Sequence, residues 1–289
     1  MSVWLPSAPC TPPGCATHQG PAAGKLRALA RLLAGTLVVL AGVLLLPAVA
    51  LLGALFGTRV RDLLTRRWAR TVVRAFGVRV RITGRPLGPR AALVVANHIS
   101  WLDIPLIAAA LPGRMLAKSE VRRWPLLGPL AARGGTLFLE RDRLRTLPGT
   151  VREMASALAG GARVIAFPEG STWCGRAQGR FRPAVFQAAL DAGAAVQPVR
   201  ISYLPTGAAA FVGDDSLGAS LWRVAAAGGL TAEIRLLPAI PASSFPDRRS
   251  LARAAQLAVA RQSANLPSVS VHQFVNSRSA SASSLRTPS

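Results

Sequence analysis

The pattern of apolar and polar positions divides the chain into three stretches. Leu32 to Thr58 runs without a charged residue, long enough to cross about 30 Å of hydrocarbon. Gly35, Gly42, Pro47 and Gly53 interrupt it, which lipid-embedded helices tolerate better than soluble ones. Lys25, Arg27 and Arg31 precede the run as they would in a secretory signal, but it exceeds the roughly 7–15 apolar residues such a signal carries. A buried core helix is the alternative, and the length favours membrane contact over it. From Val78 the period changes. Val78–Thr83 alternates like a half-buried strand, and Ala91–Ala96 is an unbroken apolar run like a buried parallel strand. Further strands are predicted at Arg114–Lys118, Thr136–Glu140, Arg163–Phe167, Val196–Ser202 and Ala232–Leu237. Helices are predicted at Asp103–Leu111, Thr146–Ala159, Pro183–Ala192 and Ser250–Ser263.

Strands alternating with helices predict an α/β fold. We expect a single domain whose mostly parallel or mixed sheet is flanked by helices, preceded by an N-terminal membrane helix. The predicted organisation is a disordered leader over 1–24, rich in Pro, Ala, Gly and Thr. A membrane-anchoring segment follows over 25–77, with an apolar helix at 32–58 and a basic interfacial helix after it. The folded domain occupies 78–248, and a C-terminal helix and disordered Ser-rich tail occupy 249–289.

Charge narrows the partners. The formal net charge is +23, and Lys25 and Lys118 are the only lysines, so the excess is arginine. Such a surface suits anionic lipid headgroups or phosphorylated substrates, or a nucleic-acid backbone. The chain has one tyrosine and its arginines are scattered through the juxtamembrane and motif regions, so it carries no nucleic-acid recognition module. Arg59, Arg61, Arg66, Arg67, Arg70 and Arg74 follow the apolar run, against three basic residues before it. The rest of the chain is therefore expected in the cytoplasm, at the cell membrane. A half-inserted arrangement, with Trp68–Phe76 along the interface, also fits. Cys10, Cys15 and Cys174, with His18, His98 and His272, form neither a disulfide framework nor a zinc spacing, so no metal is expected.

The stretch Val94-Val95-Ala96-Asn97-His98-Ile99-Ser100-Trp101-Leu102-Asp103 ends a buried strand and turns into a helix. It sets His98 and Asp103 at the carboxyl edge of a sheet, where α/β ligands bind. A histidine is a natural general base near neutral pH, and a carboxylate on its other ring nitrogen fixes the tautomer. A core histidine followed by a helix-capping aspartate accounts equally well for the spacing alone.

Asn97-His98, four residues, then Asp103 is similar to the NHxxxxD motif of the phospholipid/glycerol acyltransferase family. Gly135-Thr136-Leu137-Phe138-Leu139-Glu140-Arg141 resembles its GxxFxxR block. Phe167-Pro168-Glu169-Gly170-Ser171 resembles its FPEGT block, and Val196-Gln197-Pro198-Val199 its closing VPV block. The likeness covers roughly 82–202, with four blocks in the family's order.

The resemblance implies a membrane-bound acyltransferase that moves a fatty acyl group from acyl-CoA or acyl carrier protein to the hydroxyl of a lysophospholipid. The first acceptor it suggests is 1-acyl-glycerol-3-phosphate; another lyso-lipid, such as lyso-ornithine lipid, is the alternative. No cofactor is implied. His98 would be the general base and Asp103 its orienter. Asn97, Gly135, Arg141, Glu169, Gly170 and Ser171 would bind or shape the acceptor. One departure stands out: Thr172 occupies the place where the family carries an arginine. Arg182, just before a predicted helix, is the expected substitute for phosphate binding.

Overall fold

The structure, a computed structural model, describes residues 8–17, 20–86, 88, 91–125, 127–140 and 143–261. In chain order the helices are α1 (Pro12–Cys15), α2 (Lys25–Phe56), α3 (Thr58–Ala75), α4 (Asp103–Ala110), α5 (Leu127–Arg133), α6 (Leu147–Ala159), α7 (Ala184–Asp191), α8 (Thr206–Ala209), α9 (Leu217–Ala226) and α10 (Arg248–Arg261). The strands are β1 (Arg79–Gly84), β2 (Ala92–Ala96), β3 (Arg114–Lys118), β4 (Leu137–Leu139), β5 (Arg163–Ala166), β6 (Ala195–Leu204) and β7 (Thr231–Leu236). They form one mixed sheet in the order β1-β7-β6-β2-β5-β3-β4. Every neighbouring pair is parallel except β6 with β7.

The central strands read as continuous apolar runs because both sheet faces are covered. On β2 the side chains alternate between two cores: Val94 and Ala96 enter one, Leu93 and Val95 the other. The first core lies under α3, α4 and α9, and the second under α6, α7 and α10. These are the three layers expected of an α/β domain.

Three parts differ from expectation. The leader is not structureless among the described residues. Cys10 and Ala16 are buried against Cys174, Ala210 and Val212. Pro21 accepts a 2.6 Å hydrogen bond from the Gly228 N–H, and Ala22 bridges Ala227. Low hydrophobicity did not prevent this docking, because the segment is held by backbone bonds and small side chains. Secondly, the apolar helix begins at Lys25 rather than Leu32, and it packs along α3 instead of projecting from the domain. Its glycines are contact positions: a Cβ on Gly35 would stand 2.5 Å from the Phe76 ring, and one on Gly42 2.3 Å from Trp68 Nε1. Thirdly, α3 is part of the core and not only an interfacial helix, since Val72, Val73 and Phe76 are buried. The expected tail lies outside the described residues beyond Arg261.

α2 is the one described helix long and apolar enough to cross a membrane, by length and composition. Its inward face carries Ala28, Leu32, Gly35, Val38 and Val39. Its outward face carries an exposed stripe of Leu26, Leu29, Leu33, Leu37, Leu44, Leu51 and Leu55, spaced by threes, fours and sevens along one side of a helix.

Candidate active site

Three neighbouring strands bring the site together at their carboxyl ends. Val95 of β2 lies opposite Ala166 of β5, and Ala96 opposite Val199 of β6. The chain leaves β2 as Asn97-His98 and leaves β5 as Phe167-Pro168-Glu169, side by side. Asn97, expected at the substrate, is buried instead. Its amide donates to the Ile201 carbonyl at 2.9 Å and accepts from the Ile201 N–H at 2.8 Å, so it extends the β2–β6 ladder by one side-chain rung. Both its polar ends are thereby satisfied.

His98 follows on a rigid mount. Its N–H donates to Glu169 Oε2 at 3.0 Å, and its carbonyl accepts from the Trp173 N–H at 2.7 Å. Its ring stacks on Phe167 at a centroid distance of 4.1 Å. Nδ1 lies 2.8 Å from Asp103 Oδ2, with the His98 side chain 20% exposed and that of Asp103 fully buried. Asp103 opens α4 and is over-determined. Oδ2 also accepts from the Ile99 and Ser100 N–H groups at 2.6 and 2.9 Å, and Oδ1 from the Tyr203 hydroxyl at 2.5 Å. The turn needed to carry Asp103 back onto His98 is therefore made by the carboxylate itself. A fixed acceptor on Nδ1 leaves Nε2 as the atom for proton transfer.

Glu169 is buried, and its two oxygens take the His98 and Gly179 N–H groups. In this position it clamps the β2 and β5 ends together. Burial pushes its carboxyl up to about 8, outweighing the two N–H donors and the Arg200 charge that act the other way. Its folded value lies above the ordinary one, so its contribution to stability is full below about pH 4.5 and is lost as pH rises to about 8, at about 1.4 kcal/mol per pH unit. We expect the melting-temperature difference, Glu169→Gln minus wild type, to grow across that window. A difference that stays constant with pH contradicts the assignment.

Gly170 and Ser171 continue the same loop, and the Ser171 hydroxyl is buried without a hydrogen-bond partner among the described residues. Arg182 is exposed immediately before α7, with its N–H on the Pro168 carbonyl at 2.8 Å. Gly135 is not brought to this edge. It precedes β4, which runs parallel to β3, and its carbonyl accepts from Arg114 Nε at 2.7 Å at the amino end of the sheet. Strand direction thus carries it away from His98. Arg141 lies outside the described residues. The strand before it, β4, is separated from β2 by β5 and β3, about 14 Å at ordinary strand spacing.

Two further side chains act on this cluster and carry no motif in the sequence. Tyr203 is the only tyrosine and shares a face of β6 with Val199 and Ile201; burial and the Asp103 charge push its phenol well up. Arg200, directly after the closing block, is a buried arginine whose charge acts on Glu169. A lone arginine inside an apolar strand was the available signal. Trp101 belongs to packing, edge-on to Phe76 at 5.1 Å with its N–H on Ser220 Oγ.

Known proteins similar to this chain in sequence are acyltransferases. A family model described as Acyltransferase matches residues 79–202. The lyso-ornithine lipid O-acyltransferase of Pseudomonas aeruginosa is 41% identical over 211 residues, spanning 70% of this chain and 79% of that protein. The 1-acyl-sn-glycerol-3-phosphate acyltransferase of Neisseria gonorrhoeae is 36% identical over 174 residues, spanning 58% of this chain and 68% of that one. The crystal structure of the 1-acyl-sn-glycerophosphate acyltransferase PlsC from Thermotoga maritima matches with a TM-score of 0.65. It covers 84% of this chain and 99% of that one at 19% identity, a likeness of fold.

Proposed function

Because the chain belongs to the acyltransferase family, an enzyme of lipid biosynthesis acting among lyso-lipid acylating relatives, we propose that it acylates the free hydroxyl of a lyso-ornithine lipid. The observation that carries this reading is the pairing of the 41% identity to such an enzyme with Thr172 at the third block. An amino-acid headgroup makes weaker demands on guanidinium donors than a phosphate monoester does. The Ser171 hydroxyl, buried and unpartnered among the described residues, supplies a polar contact for the acceptor. The reading of 1-acyl-glycerol-3-phosphate as acceptor is supported by the Neisseria relative and by Arg182 beside the third block.

The chemistry is the same for either acceptor. His98 Nε2 takes the proton from the hydroxyl as its oxygen attacks the thioester carbonyl of acyl-CoA or acyl carrier protein. The C–S bond then breaks, and the leaving thiolate takes the proton back from the imidazolium. An ester and a free thiol result, with no acyl-enzyme. Asp103 holds the ring and stabilises its cationic state. We further propose that α2 lies in the membrane interface with its leucine stripe in the acyl region, on the cytoplasmic side where these donors are.

The test is a purified-enzyme assay in detergent with one acyl-CoA and both acceptors, products identified by mass spectrometry. We expect kcat/KM for the lyso-ornithine lipid to exceed that for 1-acyl-glycerol-3-phosphate by at least about tenfold. The reverse ratio would return the acceptor to the phosphate lipid.

A further inference from the structure

The chain has three cysteines, two in the leader and one beyond the third block, more than 150 positions apart in sequence. The fold gathers all three: the Sγ atoms of Cys10, Cys15 and Cys174 lie within 4.8 Å of one another. We propose that they form a three-thiolate site for a thiophilic metal ion, Zn²⁺ being the probe of choice, which clips the leader onto the catalytic edge of the sheet. Nothing in this depends on which lipid is the acceptor.

Spacing comes first. Three sulfurs at about 2.3 Å from one zinc stand roughly 3.8 Å apart, so the observed cluster closes on an ion by small side-chain rotations. A disulfide would join two of the thiols, draw them to about 2 Å, and leave the third unused. Soft thiolate sets select zinc and copper(I) over magnesium or calcium.

Independent support comes from the backbone around Cys174. Gly175 turns the chain directly after Cys174 at φ +82°, and Arg176 Nη1 donates to the Gly14 carbonyl of the leader at 3.4 Å. Cys10 and Cys174 are buried while Cys15 is half-buried. The site is thus enclosed on two sides and open on the third, where a fourth ligand enters. The domain surface is cut to receive the leader: a Cβ on Gly207 would stand 2.1 Å from the Thr17 carbonyl oxygen.

The ion would sit one residue from Trp173, whose N–H holds the His98 carbonyl. Filling the site therefore stiffens the mount of the catalytic histidine, and the metal itself takes no chemical part. Because ligands must be deprotonated, binding also contributes to folding stability.

The experiment uses the full chain, purified in detergent under reducing conditions without chelator. Metal content is measured by plasma mass spectrometry, followed by titration of the metal-free protein with Zn²⁺ or Co²⁺ alone. We expect about one zinc ion per chain, a rise in melting temperature on refilling, and a near-ultraviolet sulfur-to-cobalt charge-transfer band. Cys10→Ser and Cys174→Ser should lower zinc affinity by at least about tenfold each. If either buried variant fails to fold, Cys15→Ser at the open side still must weaken the band. Uptake of neither ion by the wild type overturns the proposal, as does unchanged zinc content in the triple Cys→Ser variant.

Discussion

Replacing His98 with alanine is expected to lower acyl transfer by about 10²–10⁴-fold, the ordinary contribution of a general base, with the melting temperature nearly unchanged. The fold does not depend on the ring. Both backbone bonds of His98, to Glu169 and from Trp173, survive the change; the stack on Phe167 and the Nδ1 bond to Asp103 are lost, but Asp103 Oδ2 keeps the Ile99 and Ser100 N–H groups. Asp103→Asn should lower kcat as well, by misorienting the ring. It also presents an amide NH₂ to the donors that now meet Oδ1 or Oδ2, so a stability loss accompanies it. Tyr203→Phe separates the two effects. It removes one donor to a buried carboxylate, about 1.5–3 kcal/mol, while keeping the packing. We expect kcat to fall roughly tenfold with little change in acceptor KM, because the tyrosine acts through Asp103. Near-wild-type turnover by His98→Ala in detergent would sink the general-base assignment, and a Tyr203→Phe effect confined to KM would remove Tyr203 from the positioning chain.

What the sequence revealed follows from which forces leave a one-dimensional trace. Buried parallel strands do, because both faces are apolar, and Ala91–Ala96 and Arg163–Phe167 were legible within two residues of β2 and β5. The His98–Asp103 pair was legible as a motif, though only the fold shows the carboxylate closing its own turn. Contacts made by backbone leave little trace. The leader docks through carbonyls and small residues, so composition made it look structureless. In α2 both faces are apolar and differ in side-chain size, with Ala28, Gly35, Val38 and Val39 beside Leu32 inward and leucines dominating outward. A hydropathy pattern cannot separate those, so Gly35 and Gly42 looked like interruptions. Asn97 and Glu169 carried family-block positions that suggested substrate contact, but each is occupied with backbone groups across the strand ends. Gly135 lies away from His98 because a motif gives order along the chain, while the direction of β4 decides which edge of the sheet it meets.

The outward stripe of α2 gives the second large effect. Leu44 and Leu51 are 79% and 59% exposed, on a helix whose inward side is already packed. Changing both to aspartate should therefore leave the domain intact in detergent while abolishing its affinity for vesicles. Each aspartate placed among acyl chains costs about 2.5–3.5 kcal/mol. Two would cost about 5–7 kcal/mol, roughly four orders of magnitude in partitioning. The arginines of α3 set the limit of this loss. Arg59, Arg67, Arg70 and Arg74 keep a salt-sensitive attraction for anionic headgroups, so residual binding of the double variant should disappear in high salt, whereas wild-type binding should persist. Flotation with neutral and anionic vesicles at low and high salt distinguishes the two contributions. If the double variant floated with neutral vesicles as well as the wild type does, α2 would not be the membrane-facing element. A fall in detergent activity parallel to the fall in flotation would instead mean that the stripe packs against the catalytic domain. Unchanged turnover on micellar substrate, together with lost turnover on vesicle-borne substrate, is the expected pair of results, because the enzyme must meet a lipid acceptor where that lipid resides.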